Sequence, residues 1–314
     1  MGNRIYDKLA NRESLDASPI FVFAADPLCS GGMRGLGTER GSHPRTHPEF
    51  LQLCRDITAE GFIDGLLMTP RDAEVLAVQE GLFGQTDVTP MVRMNAETNI
   101  WNPRHGSYRA NYSAPFQTIP VTDARYCRVA SGVARDCKIG MGLYSITLNN
   151  DVEKDQETLN AYLRFAREVA DTPDLDHVLE VFLPNVRLPG MDEQAMGEYA
   201  ADSIVRTMAY LRSWERPRFI KTAYTTPDVW RDLCNFDPTM IIGALGGARQ
   251  NARGTLQLAH DVVKYGGRII LFGRAVFEED DPLLICKALR AVLDGTLGPD
   301  DAHAQYQSGL RAQG

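Results

Sequence analysis

The chain is expected to fold as an α/β protein, a (β/α)8 TIM barrel in a single domain, on three observations. Eight short apolar runs recur along its 314 residues. Amphipathic stretches separate most of them, so successive strands must be joined by parallel crossovers. Eight is also the number of strands that closes a barrel, and the length suits one. An open doubly wound sheet is the alternative. It would usually carry a glycine-rich turn directly after the first strand, and "CSGGMRGLG" (29–37) lies near that place without the G-x-G-x-x-G spacing.

In chain order the strands are expected at 20–25 (IFVFAA), 65–69 (GLLMT), 90–95 (PMVRMN), 138–144 (KIGMGLY), 177–183 (HVLEVFL), 218–224 (RFIKTAY), 239–245 (TMIIGAL) and 268–273 (RIILFG). Helical patterns fall at 46–60, 71–81, 122–136, 154–171, 190–213, 226–234, 249–265 and 280–294. The last, "DDPLLICKALRAVLDG", opens on an acidic turn with an early proline and closes on glycine, the expected helix punctuation. The barrel domain is taken to span 1–314, with a leader helix in 1–17, a long aromatic and polar loop at 96–121 and a tail at 296–314. A loop that long on the C-terminal face of a barrel commonly serves as a lid or substrate wall.

The composition is that of an ordinary globular protein, 44% hydrophobic and 24% charged. A net charge of -8 argues against a broad nucleic-acid surface and leaves room for a local anion pocket. The six cysteines form no CxxC pair, as expected of reduced thiols in a cytoplasmic protein. The first residues carry no apolar signal core and no run reaches a membrane span. Six histidines show no pair with ligand spacing on one helix face. His43 and His47 are four apart, but each precedes a proline, so no metal site is expected.

Charged residues inside or just after the strands are the candidates for chemistry, because barrel sites form at the C-terminal strand ends. Asp26 follows the first strand, Lys138 opens the fourth, Glu180 is mid-strand in the fifth, Lys221 lies in the sixth and Arg274 follows the eighth. Each has a plain structural alternative, and Glu180 with Lys221 could be an ion pair and nothing more. Strands five and six are neighbours, however, so the two can converge in the barrel mouth. A partly desolvated lysine beside a second cation such as Lys138 would give up its proton more readily. A neutral amine attacks a carbonyl to form a Schiff base, and the iminium stabilises an adjacent carbanion. A carboxylate such as Glu180 then suits the proton transfers of carbon–carbon cleavage. No metal or other cofactor is required, since the iminium takes the place of a Lewis acid. "GALGGARQNARG" (243–254) and "LFGRAVFEEDDP" (271–282) each place a strand end, a glycine turn and a helix start in order. Such turns after strands seven and eight are where barrels hold phosphate.

From about residue 18 to 295 the sequence resembles the class I, Schiff-base-forming aldolases. That superfamily includes deoxyribose-phosphate, tagatose-bisphosphate, archaeal-type fructose-bisphosphate and sulfofructose-phosphate aldolases. The resemblance is carried by "LEVFLP", "FIKTAYT", "IIGALGG" and "LFGRAVFEEDDPL" in that order. It implies that Lys221 is the Schiff-base lysine and that Glu180 and Lys138 match the strand-five glutamate and strand-four lysine of the tagatose-bisphosphate branch. It also implies that Asp26 is the aspartate after strand one, and that Gly246, Gly247, Gly273 and Arg274 form the phosphate turns. Two positions depart from the pattern. Pro27 stands where His or Gln is usual, and Leu183 stands where the fructose-bisphosphate branch has an acid/base tyrosine. Glu180 is therefore the preferred acid/base residue and Tyr144 a second candidate.

The expected activity is that of an aldehyde-lyase acting on a phosphorylated sugar or related hydroxy-ketone, in a homo-oligomer. Transaldol transfer or thiolase-like acyl transfer to coenzyme A is the alternative on the same lysine. A non-catalytic barrel that senses sugar phosphates is the alternative of another class.

Overall fold

The computed structural model of the chain describes residues 3–39, 43–96, 102–126, 128–129, 132–133, 139–246 and 251–313. Its central sheet consists of β1 (Ile20–Ala25), β2 (Gly65–Met68), β3 (Thr89–Arg93), β4 (Met141–Thr147), β5 (Asp176–Phe182), β6 (Ile220–Thr222), β7 (Ile242–Leu245) and β8 (Ile269–Phe272). The strands pair in that order, all parallel, and β8 closes onto β1. The result is the eight-stranded barrel expected from the alternation of strands and helices.

Side-chain alternation divides each strand between two cores. Val22, Leu67, Met91, Leu143, Val178 and Leu271 fill the barrel interior. Phe21, Phe23, Val92, Leu179, Ile220 and Phe272 point outward into the larger core beneath the helices. Because both faces are covered, the strands read as continuous apolar runs rather than as polar–apolar alternation.

The helices begin where local chemistry supplies partners for their first free N–H groups. Helix His47–Glu60 starts on a capping box, Thr46 with Glu49, and a proline in its first turn. Asp151, Asp192, Asn251 and Asp281 cap the helices Val152–Ala170, Glu193–Met208, Ala252–Lys264 and Pro282–Leu293. Each such cap contributes about 1 kcal/mol. Helix Pro299–Gln313 occupies most of the segment after the eighth unit and buries Ala302 and Tyr306 in the outer core. Among the described residues, no helix is long and apolar enough to cross a membrane.

Several elements differ from expectation in their bounds, and two of them bear on β4. Strand four begins at Met141 rather than at 138, because Gly140 and Gly142 leave its start weakly marked in the sequence. Of the helix expected over 122–136, the described residues include Val121–Tyr126; Arg128–Val129 pairs antiparallel with Gly132–Val133, and 127, 130–131 and 134–136 lie outside the described residues. A β-branched valine in each arm suits a strand better than a helix.

The N-terminal end of the barrel is plugged by the first two helices, Arg4–Ala10 and Arg12–Ala17, whose Ile5 and Leu15 join the interior core. Gly65 makes room for the plug, since a Cβ there would lie 2.6 Å from Ile5 Cδ1. Behind the plug, buried Asp64 binds Lys8 at 2.9 Å and Arg290 at 3.2 Å, and accepts the Phe21 N–H at 2.7 Å. Burial lowers the Lys8 pKa, and Asp64 opposes that shift. Asp64→Ala would leave buried Lys8 without a carboxylate and Arg290 with Asp294 alone. Urea unfolding is expected to show a loss of about 3–5 kcal/mol.

His177, at the start of β5, faces outward and contacts Tyr162 Oη through Nε2 at 3.0 Å. Burial lowers its pKa from 6.5 to about 3, so the folded state holds the ring neutral. Between those two values the unfolded chain binds the extra proton and the folded chain does not, so stability falls as pH drops through that window. The full drop contributed by this ring is roughly 3–5 kcal/mol. His177→Gln is expected to flatten that part of the stability–pH curve, measured by urea midpoints between pH 6.5 and 4.

Candidate active site

The upper layer of the barrel interior is polar, unlike the layers below it. On β6, Phe219 and Lys221 share the inward face while Ile220 points out. Lys221 is thereby aimed into the barrel, and only 6% of it is exposed. Its neighbours in register are Glu180 on β5 and Gly243 on β7. Lys221 Nζ lies 2.6 Å from Glu180 Oε1. Gly243 lets β7 pack closely on β8, because a Cβ there would sit 2.7 Å from Ile269 Cβ.

The second oxygen of Glu180 is also engaged. Oε2 accepts the Ser145 hydroxyl from β4 at 2.6 Å, and Arg93 Nη1 approaches it at 3.6 Å. Arg93 reaches across from the end of β3. It donates to Asp26 Oδ2 at 2.7 Å, to Ser145 Oγ at 3.0 Å and, through Nε, to the Asn95 carbonyl at 2.7 Å. Asn95 in turn exchanges two hydrogen bonds with the Ser145 main chain, at 2.7 and 2.8 Å. Burial works against the Arg93 charge, but the carboxylates of Asp26 and Glu180 outweigh it and hold its pKa above the ordinary value. Among the described residues, two cations and two carboxylates thus share one layer, and each has a partner, as buried charges require.

The sequence candidates fare unequally. Lys221, Glu180 and Asp26 are brought into one connected network. Lys138 lies outside the described residues, and at the level of Glu180 strand four presents Ser145. Tyr144 faces the outer core, stacked on Phe165 with ring centroids 4.3 Å apart, so it is on the wrong side of β4 to serve Lys221. Arg93, Ser145 and Asn95 were not among the candidates. Arg93 shares parity with Met91 in a strand whose odd positions face inward, which is the signal that finds it.

The glycine turns close the end of the barrel beside β1. Gly246 follows β7, and Gly273 follows β8 just before the short helix Arg274–Phe277. A Cβ on Gly273 would meet the Ala24 carbonyl oxygen at 2.7 Å, and one on Gly246 would touch Phe272 and Ala275 at 3.2 and 3.3 Å. Only glycine permits both approaches without displacing a neighbour. Arg274 is exposed at the start of its helix, and Gly247 lies outside the described residues. The described part of the loop after β3 folds back on itself, with Ala96 N–H donating to the Phe116 carbonyl. It is tied to the β5 side by Asn185, which donates to the carbonyls of Tyr108 and Asn111.

No family model and no curated protein matches the chain. Solved structures do. An archaeal fructose-1,6-bisphosphate aldolase, described with its catalytic lysine covalently bound to the carbinolamine intermediate of the substrate, superposes with a TM-score of 0.67 at 14% identity. That match covers 93% of this chain and all of the other. A fructose-bisphosphate aldolase from Slackia heliotrinireducens gives 0.69 at 15% identity, over 96% and 91% of the two chains. A protein of Corynebacterium glutamicum gives 0.60 at 16% identity, over 93% and 96%. At these identities the likeness is one of fold: the chain shares the barrel of class I aldolases.

The geometry around Lys221 makes a direct prediction about space. Gly243→Ala should force Ile269 to move and destabilise the protein by about 1–3 kcal/mol, read from thermal or urea unfolding.

Proposed function

We propose that the protein is a class I aldolase, a carbon–carbon lyase that cleaves or forms a bond in a ketose phosphate or related hydroxy-ketone through an iminium on Lys221. The observation that carries this is the buried lysine in the upper layer of the barrel, 2.6 Å from a single carboxylate oxygen of Glu180. The fold likeness to aldolases, one described with a covalent intermediate on its lysine, supports the same reading.

In this mechanism Glu180 takes a proton from the Lys221 ammonium, and the neutral amine adds to the substrate carbonyl carbon. Glu180 returns that proton to the carbinolamine hydroxyl, which leaves as water; this gives the iminium, with its positive charge opposite a Glu180 that is again a carboxylate. Glu180 then removes the proton of the hydroxyl one carbon beyond the α-carbon. The carbon–carbon bond breaks toward the iminium, leaving an aldehyde and an enamine. Reprotonation of the enamine and hydrolysis free the second product. Asp26 and Lys138 are assigned to orient substrate hydroxyls. The phosphate is assigned to the turns at Gly246, Gly247, Gly273 and Arg274, after strands seven and eight.

Borohydride reduction in the presence of ketose phosphates tests the reading. A stable adduct is expected on Lys221 of the wild type and absent from Lys221→Met. Glu180→Gln is expected to keep some adduct while cleavage falls about 10²–10⁴-fold, the range for loss of a general acid/base. Full activity in Lys221→Met would end the proposal. Release of an acyl-coenzyme A only when coenzyme A is supplied would redirect it to acyl transfer.

A further inference from the structure

We propose that Arg93 of β3 is the positioning residue and fixed cation of the Lys221 centre: it engages Glu180 Oε2, directly and through Ser145, so that Oε1 alone serves the lysine. This rests on the iminium reading above and adds to it a residue and a charge balance.

The arrangement of the guanidinium carries the inference. Its Nε is taken by the Asn95 carbonyl, Nη1 by Asp26 and Nη2 by Ser145. Arg93 is 4% exposed. An arginine meant to grip substrate would turn its fork to the mouth, whereas this one is consumed by protein partners from three strand ends. Ser145 accepts from Arg93 and donates to Glu180, so it relays orientation between the two. The carboxylate of Glu180 is thereby split, one oxygen held by Arg93 and Ser145 and the other facing Lys221.

The groups around Arg93 fix the electrostatic consequence. Asp26 faces it from the end of β1, Glu180 from β5, and Lys221 from β6 stands behind Glu180. Cys29, on the segment after β1, is also near and feels Asp26 and Asp72 as well as Arg93. Its thiol is pushed up to about 11 by burial and contributes no charge at neutral pH. Among the described residues, the centre therefore balances two carboxylates against two cations. With Arg93 neutralised, two carboxylates share Lys221 alone, and protons stay on the centre to higher pH. With Asp26 neutralised, the excess positive charge drives protons off at lower pH.

The test follows the first covalent step, which needs no knowledge of the full substrate. Dihydroxyacetone phosphate is the probe and cyanoborohydride the reductant. The rate of adduct formation on Lys221 is recorded by mass spectrometry against pH. The acidic limb of the wild-type profile should move up by about one pH unit in Arg93→Gln and down by a similar amount in Asp26→Asn, the size expected for one nearby charge. Arg93→Lys, which keeps the charge but loses the fork, should leave the limb near its wild-type position at a reduced rate. Arg93→Gln and Asp26→Asn limbs that coincide with wild type would overturn the proposal. So would shifts of the same sign in both, which general damage to the fold would produce. If Arg93→Gln does not fold, as judged by circular dichroism, Asp26→Asn with Arg93→Lys decides alone, and an unmoved limb in Asp26→Asn overturns it. An adduct on wild-type Lys221 with unmoved limbs removes Arg93 only. No wild-type adduct removes the iminium reading, and this proposal with it.

Discussion

The ion pair between Lys221 Nζ and Glu180 Oε1, at 2.6 Å, constrains most of the upper barrel. An ammonium and a carboxylate lose several kcal/mol each on leaving water, and attraction to one partner recovers that only when the remaining polar atoms are also satisfied. The structure meets this condition by recruiting a residue from strand after strand. Ser145 saturates Glu180, Arg93 saturates Ser145, Asp26 neutralises Arg93, and Asn95 fixes both Arg93 and Ser145. Remove the pair and none of these polar side chains has a reason to be buried.

The same constraint divides the barrel along its axis. Its lower interior is sealed by Ile5 and Leu15 over Ile20, Val22 and Phe219, with charges at the rim, as where Asp64 joins Lys8 and Arg290. The N-terminal end is packed with apolar side chains, and the end that holds the candidate site has given up apolar packing for paired charges. Gly243, Gly246 and Gly273 belong to this second half, where adjacent strands and turns come too close for a side chain. The division is the usual one in (β/α)8 enzymes, and it lets loop changes alter substrate choice without touching the fold.

Much of this was legible in the residues. The number and order of strands followed from apolar runs separated by amphipathic ones. Lys221, Glu180 and Asp26 stood out because a charge in or just after a buried strand needs a partner. Arg93 was missed for a physical reason. In "PMVRMN" it sits near a strand end, where arginine is ordinarily solvated, and its partner Asp26 is 67 residues away in sequence. Counting by twos from Met91 would have turned it inward. The start of strand four was misplaced because "KIGMGLY" carries two glycines and no turn signal, and Tyr144 was weighed because Leu183 stands where a tyrosine is usual, without its parity in β4 being counted. Side-chain parity is unforgiving: one step along β4 exchanges Ser145, which touches Glu180, for Tyr144, which stacks on Phe165.

The most direct measurement is a crystal structure of the protein after reduction in the presence of a ketose phosphate. The account predicts continuous density from Lys221 Nζ to a substrate carbon, Glu180 Oε1 within hydrogen-bonding distance of that carbon's substituents, and the phosphate against Gly246 and Gly273. An unmodified Lys221 still paired with Glu180, with the ligand absent or bound elsewhere, would contradict it.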